Sequence, residues 1–235
     1  MKITSIGKGK QERFSIEGLT AAELSSLKTI CQDFIKAADS IARSVPGGSK
    51  NRKGHKTAVV LVDLGLPSGT LWADRNLGAD RPEDYGDYYR WGETVPYTGE
   101  SPEYEFRDQG EDIAGTEHDA AAAVLGKDYR MPDFDQIKEL IDCCTSTPVE
   151  QNGVSGFRIT GPNGNSIFIP AAGLRYSSSG TSIYNVSGTG YCWASSAYST
   201  THARLLGLHD SYCYWDSSNR AYGLTVRPVQ GNYRH

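Results

Sequence analysis

The 235-residue sequence is informative first through what it lacks. No run of about 18 apolar residues occurs, so no helix able to cross a bilayer is expected. The start, Met1-Lys2-Ile3-Thr4-Ser5-Ile6-Gly7, lacks the apolar segment of a secretion signal, and no signal peptide is expected. A basic excess is also missing. With 24 Lys and Arg against 28 Asp and Glu, the net charge is −4, which disfavours a nucleic-acid partner. The five cysteines, Cys31, Cys143, Cys144, Cys192 and Cys213, are odd in number and form no CxxC pair. That argues against a disulfide scaffold and against a zinc site. Cys143 and Cys144 read as small buried thiols at the end of a helical pattern. Cys192 and Cys213 could lie close in space, and a reducing compartment leaves them as free thiols. The five histidines, His55, His118, His202, His209 and His235, sit in no HExxH, and no GxSxG elbow is present, so nothing points to hydrolysis.

One absence is local. Lys, Glu, Gln and Met together number 30; 29 lie at or before Gln151 and the last is Gln230. From Asn152 to Val229 none occurs, while Ser, Tyr, Gly, Thr and Asn are dense. Seven of the 14 tyrosines fall between residues 176 and 222. Such a mixture is paratope-like: Tyr offers large amphipathic contact area with few rotors, and Ser and Gly offer adaptable hydrogen bonds.

The composition, 38% apolar and 22% charged, is that of a globular chain. Residues 1–48 read as an N-terminal strand/helix segment, with Arg13-Phe14-Ser15-Ile16 as the best strand signal. Thr20-Ala21-Ala22-Glu23 is a capping box. It opens a helix whose apolar positions Leu24, Leu27, Cys31, Phe34, Ala38 and Ile41 alternate in steps of three and four, a heptad seam ending before Pro46-Gly47-Gly48. This seam suits either an oligomerising coiled coil, such as a trimer through residues 20–45, or an amphipathic helix on the chain's own sheet. Residues 49–57 are a polar, basic linker. The main domain, 58–235, is expected to be α+β. Strand runs lie at Ala58–Val62 and Leu71–Ala73, and an irregular stretch over 80–115 is held by Tyr85, Tyr88, Tyr89 and Trp91. Helices follow over Thr116–Leu125 and from the capping box Asp133-Phe134-Asp135-Gln136, with Ile137, Leu140 and Ile141 on one face. A β-rich, loop-rich half closes the chain. It includes a hairpin across Pro162-Asn163-Gly164-Asn165 and strands near 190–194, 203–208, 212–215 and 222–226. His118 with Glu117 and Asp119 reads as a helix-cap cluster, Asp84 and Asp87 as loop braces and Glu93 as structural.

Several ordered motifs carry a resemblance. Val62-Asp63-Leu64-Gly65-Leu66-Pro67-Ser68-Gly69-Thr70-Leu71-Trp72-Ala73, Asn76-Leu77-Gly78-Ala79 and Asp84-Tyr85-Gly86-Asp87-Tyr88-Tyr89-Arg90-Trp91-Gly92-Glu93 resemble the Fibrobacter succinogenes major paralogous domain. So do Tyr129-Arg130-Met131-Pro132, Ile167-Phe168-Ile169-Pro170-Ala171-Ala172-Gly173 and Tyr222-Gly223-Leu224-Thr225-Val226-Arg227-Pro228-Val229. The resemblance spans about residues 58–230 and implies a C-type-lectin-like fold of the formylglycine-generating-enzyme type. The C-terminal part is also similar to the variable proteins of diversity-generating retroelements, in which template adenines are copied with errors. Asn codons ending in C or T, altered at their adenines, cannot become Lys, Glu, Gln, Met or Trp codons, which fits the depletion after Gln151. Trp193 and Trp215 are then fixed scaffold within a variable region of about 190–229.

The family pattern puts Ala203, Leu206, Leu208, Trp215, Arg220, Gly223 and Val226 at scaffold positions. The implied ligand-contacting set is Tyr198, Thr200, Thr201, His202, Arg204, Leu205, Gly207, His209, Tyr212, Tyr214, Asp216, Ser217, Ser218 and Ala221. Calcium-dependent lectin activity is not expected, because Glu-Pro-Asn and Gln-Pro-Asp are missing and Trp215-Asp216-Ser217 only partly matches Trp-Asn-Asp. Copper oxidase chemistry is not expected either, since Cys192 and Cys213 are far apart in sequence. The expectation is a binding protein rather than an enzyme, with no catalytic residue, metal or cofactor. Its ligand is a protein or glycan on a target cell surface. Display on a phage virion, such as a tail, or on a bacterial exterior fits the resemblance. A non-variable structural or adhesive protein of the same fold is the alternative.

Overall fold

A computed structural model describes residues 58–99, 103–176, 182–210 and 212–231, together with the backbone of Lys2–Ile6 and Arg13–Glu17. The chain divides into two units, Met1–Gly48 and Ser49–His235. In the first, β1 (Lys2–Ile6) and β2 (Arg13–Glu17) pair antiparallel, from Lys2 opposite Glu17 to Ile6 opposite Arg13. The helix expected at 20–45, its Thr20 cap and the 49–57 linker lie outside the described residues.

The second unit is α+β. Its described elements are β3 (Leu61–Asp63), β4 (Leu71–Ala73), α1 (Ala120–Leu125), α2 (Phe134–Cys143), β5 (Thr145–Gln151), β6 (Val154–Thr160), β7 (Ser166–Pro170), β8 (Thr189–Ala197), β9 (His202–His209), β10 (Tyr212–Asn219) and β11 (Val229–Gln230). They form antiparallel sheets ordered β11-β4-β3, β5-β6-β7 and β10-β9-β8. The start and end of the unit meet where Val229 of β11 pairs with Trp72 of β4.

Local chemistry explains where the helices begin. At α2 the Asp133 carboxylate accepts from the Gln136 backbone N–H (2.7 Å), and Gln136 Oε1 accepts from the Asp133 N–H (3.0 Å), a complete capping box. Ile137 and Leu140 then face the core, and Ile141 packs at its margin. α1 starts four residues later than the sequence suggests, because the fully buried Asp119 is its N-cap. Its carboxylate accepts from Ala121 and Ala122 in the helix and from Gly115 and Met131 beyond it. Burial raises the Asp119 pKa, outweighing the lowering effect of those backbone hydrogen bonds.

Two cores sandwich the C-terminal sheet. One joins Ile137 and Leu140 of α2 to Phe157 and Ile159 of β6, Ile167 and Ile169 of β7, and Leu206 and Leu208 of β9. The other joins Leu77, Tyr89, Trp91 and Ile113 of the long loop to Ala120 and Ala121 of α1 and to Trp193, Ala203 and Leu205 of the sheet. No helix or strand is present between Ala73 and Ala120 among the described residues. Buried rings hold this loop as the sequence suggests, and each also spends its polar atom. Trp91 Nε1 donates to Ala194 O (2.9 Å), Trp193 Nε1 to Tyr89 O (2.8 Å), Tyr88 Oη to Ala172 O (2.5 Å) and Tyr104 Oη to Trp91 O (2.6 Å). Asp84 braces the Arg81 amide (3.0 Å), and Glu93 pairs with Arg90 (2.7 Å).

Three strand expectations change. The first strand is Leu61–Asp63 rather than Ala58–Val62. β5 was not expected at all. It carries Pro148, which an edge strand tolerates because one side of its backbone has no ladder to join. Residues 222–226 form no continuous strand. They bridge three neighbours in turn, with Gly223 opposite Arg175, Leu224 opposite Tyr89 and Thr225 opposite Cys192.

Candidate functional site

The expected contact residues lie on and around the β8-β9-β10 sheet, and the strand register sorts them. Residues directly opposite one another share a face, and neighbours along a strand alternate. Leu208 opposes Gly190 and Cys213, Leu206 opposes Cys192 and Trp215, and Arg204 opposes Ser217; these share the face toward α2. Gly207 opposes Tyr191 and Tyr214, and Leu205 opposes Trp193 and Asp216; these share the other face. The fourteen residues therefore do not form one surface. Tyr198, Thr200 and Thr201 occupy the turn between β8 and β9, Arg204 and Ser217 one face, and Tyr214, Asp216 and Ser218 the other.

Tyr198, Thr200, Thr201, His209, Tyr212 and Asp216 are exposed, and His202, Arg204, Tyr214, Ser217 and Ser218 are half-buried. Leu205, Gly207 and Ala221 are buried, so these three cannot meet a ligand as expected. Leu205 belongs to the core beneath Trp193. Gly207 lies under the Tyr214 ring, where a Cβ would come within 2.5 Å of Cζ. Ala221 is enclosed in the turn after β10, its amide donating to Asn219 Oδ1 (2.9 Å). The scaffold expectation holds for Ala203, Leu206, Leu208, Arg220, Gly223 and Val226, all buried. Trp193 is fully buried, but Trp215 is 49% exposed because β10 is an edge strand and α2 covers only part of its face. Desolvation pushes the Tyr214 hydroxyl up to about 12, with Tyr191 beside it adding to the shift, so the phenol stays neutral and hydrogen-bonding at physiological pH.

An open groove of about 890 Å³ lies on the α2 side of the sheet. Its walls are the 106–112 segment, the first turn of α2 and the 198–201 turn. Arg204 stands in it, with its guanidinium carbon 3.8 Å from the Phe134 ring centre, 5.2 Å from Tyr198 and 5.5 Å from Trp215. Phe134 and Trp215 meet edge to face, with centroids 5.1 Å apart. Arg204 makes no hydrogen bond or ion pair among the described residues, so stacking alone orients its donors. Arg220 closes the inner end. It stacks 4.1 Å over Trp91 and donates to Ser199 O (2.6 Å), His202 O (3.3 Å) and Arg107 O (3.4 Å), tying the turn to the neighbouring loop. Burial lowers its pKa. A third link fixes the α2 wall: the Phe134 amide donates to Ser196 Oγ (2.9 Å), which donates to Asp112 Oδ2 (2.7 Å).

Phe106, Phe134, Asp108, Asp112 and Asp135 of this groove lie outside the segment that sequence reasoning singled out. The only signal any of them carried was the place of Phe134 and Asp135 in a capping box, which speaks of helix initiation rather than of contact with Arg204.

Cys143, Cys144, Cys192 and Cys213 are free thiols, as the spacing suggests. Cys143 and Cys144 are half-buried rather than buried. Desolvation pushes Cys213 up to about 12 and also raises Cys192, whose Sγ lies 3.3 Å from Thr225 Oγ1. Thiols held protonated in this way are poor metal ligands and nucleophiles. No cluster of His, Cys, Asp and Glu suited to a metal ion is found among the described residues. No protein-family model, curated protein or solved structure matches this chain.

Proposed function

We propose that residues 58–235 are a C-type-lectin-like binding domain whose surface at about 190–229 is diversified by a retroelement and recognises a receptor on a target cell. The protein is a binder and not an enzyme, carried on a phage virion or a bacterial exterior. The observation that carries this reading is a coincidence of composition and place. Within a stretch devoid of Lys, Glu, Gln and Met, eleven of the fourteen candidate positions are exposed or half-exposed on one sheet and its turn. The mechanism is contact by rigid aromatic anchors amid polar groups, with Tyr and Arg as the energetic centre. Display of several copies through residues 20–45 raises the apparent affinity of individually weak sites. Two features support the fold reading: the paired start and end of the unit, and the long loop held by buried rings.

The test is the neighbouring DNA. The expected finding is a reverse-transcriptase gene and a near-repeat of codons 190–229 that differs at adenines. Those adenines fall in the codons of exposed residues such as Tyr198, Thr200 and Tyr212 and spare those of Trp193, Leu206 and Leu208. Absence of the repeat rejects diversification.

A further inference from the structure

We infer that the groove beside Arg204 is a site for an uncharged glycan, and that its ligand class is set by walls outside the diversified segment. The inference rests on the receptor-binding reading above and narrows it. The 106–112 segment and the first turn of α2 precede residue 190, so Phe106, Asp108, Phe134 and Asp135 are the same in every version of the surface. Tyr198, Thr200 and Arg204 lie within the variable segment. A diversified turn thus faces a constant wall, and the wall dictates what kind of molecule enters.

The constant wall offers flat rings and hydrogen-bond acceptors. Phe106 is 45% exposed and is steadied by an edge-to-face contact with Tyr104, centroids 5.0 Å apart. Asp108 and Asp135 present exposed carboxylates. A pyranose meets both demands. Its C–H face packs on an aromatic ring, and its hydroxyls donate to carboxylates in charge-assisted bonds. Arg204 adds the complementary donors, held by stacking on Phe134 and not consumed by any hydrogen bond among the described residues.

Charge selects among saccharides. The constant wall sets Arg107 against Asp108, Glu111, Asp112, Asp133 and Asp135, a net −4, and Arg204 with Arg220 reduces the groove to −2. Sialylated, uronate-bearing and sulfated glycans are repelled at such a surface. A strongly cationic peptide meets Arg204 at the centre of the groove. A neutral, hydroxyl-rich ring uses charges of both signs as hydrogen-bond partners and is repelled by neither.

The experiment passes the full chain, in buffer containing EDTA, over an array of neutral, sialylated, uronate-containing and sulfated oligosaccharides. Retention of neutral members is expected. Phe106→Ala and Arg204→Met each weaken it by about tenfold or more, whereas Arg158→Gln on the exposed side of β6 leaves it unchanged. Circular dichroism checks folding. Phe106 is half-exposed, so its truncation spares the core and decides the matter even if the Arg204 variant unfolds. Preference for acidic glycans, or retention indifferent to Phe106, overturns the inference. Failure to retain any glycan also overturns it; if the codon repeat is then found, the receptor-binding reading stands and a protein receptor takes the glycan's place.

Discussion

Arg227 offers the sharpest test of how the long loop is tied to the sheets. It is 0% exposed, and its guanidinium donates to Asn76 Oδ1 (2.9 Å), Ala73 O (3.0 Å) and Phe168 O (2.8 Å), none of them a carboxylate. The acceptors belong to β4, to the start of the long loop and to β7. Burial lowers its pKa from the usual guanidinium range to about 10. That shift corresponds to a penalty on the order of 3 kcal/mol for keeping the charge inside. Each hydrogen bond from a charged donor returns about 1.5–3 kcal/mol, so three of them outweigh the penalty. Arg227→Met removes charge and donors together and strands three acceptors. The expected loss is roughly 2–5 kcal/mol after the relieved penalty is credited. Urea unfolding of the full chain at neutral pH reads it as a lower midpoint with an unchanged slope. The melting temperature falls by about 2–4 °C per kcal/mol for a unit of this size. Arg227→Lys keeps the charge, but a single ammonium cannot span three divergent acceptors, so its loss is expected to be intermediate. The depressed value is still well above 7, so both folded and unfolded states carry the charge at neutral pH. The difference between wild type and Arg227→Met is therefore constant from about pH 6 to 8. A methionine variant as stable as wild type refutes the reasoning: the burial penalty then cancels the hydrogen bonds, and Arg227 ties nothing.

Gly207→Ala sets a Cβ within 2.5 Å of Tyr214 Cζ and must displace the ring, with an expected loss of about 1–3 kcal/mol. Tyr214→Ala in the same chain should recover most of it, and a double-mutant cycle in urea that shows no coupling rejects the contact. Glu83 is resisted by burial, yet the hydrogen bond from Asn152 (2.9 Å) and the nearby Arg81 (3.8 Å) bring its pKa below 4.5. Its folded value is lower than its unfolded one, so its contribution is present above pH 4.5 and lost as pH falls through the folded value. Glu83→Gln is therefore expected to be less stable than wild type at neutral pH, by about 1 kcal/mol, and the two should converge in acid. Light scattering on the full chain and on a chain lacking residues 1–56 checks self-association. An oligomer becoming a monomer is expected, and two monomers reject the coiled coil.

Much of the fold was legible where the controlling interaction is local. The Asp133 capping box begins α2, and Pro162-Asn163-Gly164-Asn165 turns β6 into β7. The aromatic residues of the 80–115 stretch hold it, as their density suggests. β5 is hidden in the sequence because Pro148 and the Thr145-Ser146-Thr147 run carry no apolar alternation; only its partner β6 makes it a strand. Of the candidate site, the turn at Tyr198, Thr200 and Thr201 was legible from composition. The misplacement of Leu205 and Gly207 has a specific cause: alternation along β9 reverses from core to surface only where a neighbour leaves a face open. Here Trp193 and Tyr214 cover both positions.

By itself the sequence determined the caps, the turns, the two-residue alternation and the loss of Lys, Glu, Gln and Met after Gln151, because each depends on residues within a few positions or on composition alone. Tertiary structure decided exposure. Trp193 and Trp215 look alike in sequence, yet the first is sealed by a loop whose Tyr89 carbonyl lies 104 residues away, and the second stands half-open on an edge strand beside Phe134. Burial is supplied by distant chain packing over a face, and that packing joined Phe106 and Phe134 to Arg204 in one groove.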